Sequence, residues 1–75
     1  MNKERRRRIS DVREKLAELM EEIEEIRAEE EEAFENLPES LQQSDRAATM
    51  ESAIDTLQEA YDDLENTAGN LEELI

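Results

Sequence analysis

Apolar residues return along this chain in alternating steps of three and four. In the first half the series runs Ile9, Val12, Leu16, Leu19, Ile23 and Ile26, misses at Glu30, and resumes at Ala33 and Leu37. In the second half it runs Ala47, Met50, Ile54, Leu57, Tyr61, Leu64, Ala68, Leu71 and Ile75 without a miss. Such steps follow the turn of an α-helix. Each half therefore predicts one helix whose a/d stripe is held for about four heptads, as in helices that pack knobs into holes. A disordered chain has no reason to keep this period.

The segment Asn36-Leu37-Pro38-Glu39-Ser40-Leu41-Gln42-Gln43-Ser44 interrupts the two series. Pro38 lacks an amide hydrogen and disfavours the helical conformation at Leu37, so the first helix should stop there. Pro38-Glu39-Ser40 suits the first turn of a short new helix, with proline at its first position. Ser44-Asp45 reads as the N-cap and acidic first turn of the second long helix. One domain over residues 1–75 follows, with a helix over about 5–36, a linker over 37–44 and a helix over about 45–74. A linker this short makes the helices antiparallel neighbours, an all-α, coiled-coil-like hairpin. The first helix, counted over residues 9–36, is about 42 Å long.

A single seam between two helices seldom suffices at this size. Ala53, Ala60, Thr67 and Leu74 form a further line at seven-residue spacing, while Met20 and Phe34 widen the first helix's face. A stripe wider than strict a/d belongs to a bundle. The expectation is a homodimer, two hairpins joined as a four-helix bundle through Met20, Phe34, Ala53, Ala60, Thr67 and Leu74. Glu30, the one acid at an a position, is placed either to snorkel past the seam or to help fix register.

Composition adds charge to this outline. The chain has 23 Asp and Glu against nine Lys and Arg, a net charge of −14. Residues 1–15 carry +4 and residues 16–75 carry −18. Lys3 and Arg5–Arg8 sit where the positive end of a helix dipole disfavours cations. Hairpin closure would bring Glu72, Glu73 and the terminal carboxylate beside them, while repulsion among the four arginines remains and leaves residues 1–6 frayed. The acidic body opposes binding to nucleic acid or to anionic membrane and favours basic protein surfaces. No apolar run is long enough for a transmembrane span or an export signal, which makes the cytoplasm the expected location.

Chemistry has little to draw on. There is no His and no Cys, so a histidine base, a thiol nucleophile and the histidine-containing di-iron helix motif are excluded. The serines have no activating base other than carboxylates or lysine, and the expectation is a protein that is not an enzyme and binds no cofactor. Glu29–Glu32, and Asp62 and Asp63 with Glu65, are dense enough only for diffuse association of hard cations, without the loop spacing of a built site. Arg5–Arg8 lack the interleaved aromatics of a nucleic-acid contact.

What remains is the density of carboxylates. A DNA duplex presents one charge about every 1.7 Å of axis, and long helices with acids on every exposed face approach that density. The expected contact surface for a basic partner is Glu21, Glu22, Glu24, Glu25, Glu29, Glu31 and Glu32. The alternative is a structural adaptor or oligomerisation module whose charge only keeps it in solution.

The linker and second-helix start, Asn36 to Arg46 preceded by Glu32-Ala33-Phe34, with Ser52 to Ala60 beyond, resemble small acidic helical-hairpin proteins of phages and mobile elements of Gram-positive bacteria. The likeness covers residues 32–60 and brings no site residues with it. It implies a phage or mobile-element protein, and with the acidity it suggests a DNA mimic that inhibits a host defence nuclease, of anti-CRISPR or anti-restriction type.

Overall fold

The computed structural model describes residues 1–75, and it is all-helical. Helix α1 spans Lys3–Glu35, helix α2 spans Asp45–Glu72, and one 3₁₀ turn, Glu39–Leu41, lies between them. The two helices pack antiparallel into a rod whose Cα atoms extend 59 × 14 × 12 Å. Neither helix is long and apolar enough to cross a membrane.

α1 begins earlier than its charge suggests. The Asn2 side chain accepts a hydrogen bond from the Arg5 amide at 2.8 Å, and Glu4 lies in the first turn. A cap and an acid at the positive end of the dipole offset the arginines that follow, so the helix is formed from Lys3 rather than frayed to residue 6. At the other end the Asn36 amide donates to the Glu32 carbonyl at 3.0 Å and the Leu37 amide to that of Phe34 at 3.1 Å. Pro38 then turns extended, with ψ 143°, and stands just before the 3₁₀ turn rather than inside it; its carbonyl accepts from the Leu41 amide at 2.8 Å. Ser44 closes the linker. Its hydroxyl donates to the Leu41 carbonyl at 2.6 Å and accepts from the Ala47 amide at 3.2 Å, which ties the turn to the start of α2. Ala47 is the only fully buried residue.

Three local groupings set the helix register. Arg13 pairs with Glu72, Ala17 and Met20 lie with Glu65 and Ala68, and Phe34 lies with Glu51 and Ile54. Residues whose numbers add to about 85 are therefore level across the hairpin, as expected of helices with equal rise.

The α2 stripe packs where its spacing places it: Met50, Ile54, Leu57, Tyr61, Leu64, Ala68 and Leu71 are half-buried against α1, and only Ile75, beyond the last turn, is exposed. The α1 stripe does not. Its half-buried line is Ile9, Arg13, Leu16, Met20, Ile23, Arg27, Glu30, Phe34 and Leu37. The line at 9, 16, 23, 30 and 37 belongs to the expected seam, but its companion lies one residue later than the apolar series. Val12, Leu19 and Ile26 remain 47%, 51% and 49% exposed, and Ala33 is exposed as well. One residue is about 100° of helix rotation. α1 carries three apolar lines, and a single neighbouring helix covers two of them. The covered companion line holds the bulkiest side chains, Met20 and Phe34, alternating with Arg13 and Arg27, whose methylene stems lie against the seam while their charged ends reach carboxylates.

Candidate interaction surfaces

With the rotation of α1 fixed, its glutamates fall into three groups by heptad position. Glu25 and Glu32, together with Glu18, point directly away from α2, and Glu21 lies beside them. Glu22 and Glu29 border the exposed Val12–Leu19–Ile26 line. Glu24 and Glu31 lie on the opposite flank and are half-buried.

The last two are already engaged. Arg27 donates from Nε and Nη2 to the two oxygens of Glu24, at 3.1 and 2.6 Å, and from Nη1 to Glu31. The hydrogen bonds from Arg27 hold the Glu24 carboxyl below its ordinary range, and both acids raise the Arg27 guanidinium above its own. Of the seven glutamates expected to form one contact surface, Glu21, Glu22, Glu25, Glu29 and Glu32 are thus unengaged, and Glu24 and Glu31 face an internal cation. The spacing of Arg27 to Glu24 and Glu31, three back and four on, is the sequence signal for this clamp.

Charge density is highest in the linker half of the rod. Residues 18–35 of α1 hold ten acids and one arginine, and the level stretch of α2, residues 50–67, holds six acids and no base. Their net charge of −15 is spread over a length of about 26 Å. That is about one charge per 1.7 Å, the axial density of a DNA duplex.

The residues expected at a dimer interface do not form one surface. Met20 and Phe34 are half-buried inside the hairpin, on the flank that also carries Glu51, Asp55, Glu65 and Gly69. Ala53, Ala60, Thr67 and Leu74 occupy the other flank, by their heptad positions the same side as Val12, Leu19 and Ile26. Ala53 and Ala60 are half-buried there, whereas Thr67 and Leu74 are exposed. Gly69 has open space where a Cβ would stand.

The basic end also differs from expectation. One ion pair crosses between the helices, Arg13 to Glu72 at 3.4 Å. Arg5–Arg8 make none, because Arg13 is already level with the last residue of α2, and the first turns of α1 project beyond it. These arginines stand in solvent, and Arg5, Arg8 and Lys15 border a shallow depression lined by Met1, Ile9 and Val12. No group of three or more acidic side chains is arranged to hold a metal ion. No protein-family model, curated protein or solved structure matches the chain.

Proposed function

We propose that this chain is a non-enzymatic interaction protein that binds a basic, nucleic-acid-binding protein in the cytoplasm by presenting carboxylates where phosphates would sit. The observation that supports it is the −15 charge of residues 18–35 and 50–67 at about the axial density of a duplex. The unengaged acids of the outermost face carry the contact: Glu21, Glu25 and Glu32. Glu24 and Glu31 act through Arg27, which holds them in place. The resemblance of residues 32–60 to phage and mobile-element hairpins makes a host defence nuclease, of restriction or CRISPR type, the favoured kind of target. The hairpin works as a homodimer, two rods packed as a four-helix bundle, because three apolar lines on α1 exceed what α2 covers.

The second reading, an adaptor or oligomerisation module, is favoured by the exposed apolar line itself, which is a more specific feature than charge. Capture from a bacterial lysate with duplex DNA as competitor separates the two. A mimic's partner is released by duplex DNA and by moderate salt, and is not retained when Glu21, Glu25 and Glu32 are all changed to Gln. A partner that resists DNA, salt and these substitutions contradicts mimicry and supports the adaptor. The hairpin itself gains from salt, since screening relieves its net charge of −14, so release at higher salt is not unfolding.

A further inference from the structure

Three large apolar side chains, Val12, Leu19 and Ile26, stand half-exposed in one straight row on α1 at seven-residue spacing, about 10 Å apart. The row is centred on Leu19, which is also the midpoint of α1, Lys3–Glu35. Along its outer edge the heptad places Arg8, Lys15, Glu22 and Glu29. The first two are basic and the last two acidic, so the charge of this edge reverses about the same midpoint.

We propose that this row is the docking surface for a second copy of the chain, seated antiparallel about a two-fold axis at Leu19, so that α1 lies along α1 of its partner. The proposal rests on the dimer reading above and names its face and direction. Antiparallel seating sets Leu19 on the partner's Leu19 and Val12 on the partner's Ile26. It brings Arg8 within one residue of level with the partner's Glu29, and Lys15 likewise with the partner's Glu22, and two-fold symmetry makes each pair twice. Arg8, which overhangs α2, thereby meets a carboxylate its own hairpin does not supply.

The other ways of stacking this face lose that match. With the linkers at the same end, α1 lies on the partner's α2, where Lys15 is level with Asn70 and Glu22 with Asp63, a like-charge pair. Pairing α1 with α1 in parallel sets Arg8 and Lys15 on themselves. Area is sufficient: the two α1 helices overlap over their full length, about 50 Å, and at a helix width of about 10 Å this covers on the order of 1,000 Å² in total. Ala60 and Thr67 lie on the same face and let the partner's α2 approach.

The test uses sedimentation equilibrium and spin-label distances. The chain has no cysteine, so Ser40→Cys at the linker carries a single label. Two labels are expected about 60 Å apart, 21 residues of helical rise on either side of Leu19. A separation under about 25 Å, with the mass still that of two chains, overturns the orientation and leaves the dimer standing. A mass of one chain at every concentration overturns both. R8E/K15E should weaken association by about tenfold or more, and adding E22K/E29K should restore it while returning the net charge to −14. A doubly reversed variant that associates as tightly as the wild type, or a fourfold variant that stays weak, overturns the charge register.

Discussion

Two lines of side chains run along α1 one residue apart, and they have different surroundings. Arg13, Met20, Arg27 and Phe34 lie against α2, although half of them are charged. Val12, Leu19, Ile26 and Ala33 are wholly apolar, yet remain in solvent. Hydrophobicity alone would have chosen the second line. What selects the first is the volume and reach of its side chains. Met20 and Phe34 fill the groove beside Ala68 and Ile54, and the arginine stems cover the seam while their ends reach Glu72, Glu24 and Glu31. A helix that keeps its cleanest apolar row out of its own hairpin has a stripe wider than one neighbouring helix covers.

The comparison can be broken at several points. The largest effect is expected in the shared seam. Leu57→Asp places an unpaired charge between the helices at a cost of more than about 3 kcal/mol, enough to unfold a domain this small, and circular dichroism should show the helical signal lost. A retained signal would mean that the seam does not hold the hairpin. Met20→Ala removes part of the covered line and should lower stability by about 1–2 kcal/mol in a thermal melt, less than for a fully buried site because Met20 is half-buried. Gly69→Ala should raise stability by up to about 1 kcal/mol with no change of mass, since a Cβ there meets open space and Gly69 lies on the flank away from the bare row. The smallest effect concerns the Arg27 clamp. Glu24 titrates below its ordinary 4.5, so the clamp's contribution is present above that value and is lost as pH falls through the lower folded one. The melting difference between wild type and Arg27→Met should therefore be flat from neutral pH to about 5 and shrink below 4.5.

Much of the hairpin could be read from the residues. Pro38 ends α1, Ser44 caps α2, and where the α2 series offers two adjacent apolar residues, at Ala53-Ile54 and Ala60-Tyr61, both are half-buried, so its buried face follows from spacing. α1 is ambiguous because residues three and four beyond each a position are both apolar at Leu19-Met20 and at Ala33-Phe34. Spacing cannot decide between lines 100° apart when each satisfies a step of three or four. Arg13 and Arg27 belong to no apolar series because their formal charge hides a long apolar stem. The acidic surface was legible as density but not as grouping, since the engagement of Glu24 and Glu31 depends on which side of α1 turns toward α2. The isolation of Arg5–Arg8 follows from the register, which sets Arg13 level with Glu72 at the end of α2, and no local pattern announces that register.

The claim that α1's two lines serve different contacts is tested most directly by sedimentation equilibrium on Leu19→Asp, with its helical content measured alongside. The chain mass is 8.8 kDa. The expected result is twice that mass for the wild type, and a single-chain mass with the helical signal retained for the variant. A wild type that stays a single chain at high concentration, or a Leu19→Asp protein that remains two chains, would contradict the account.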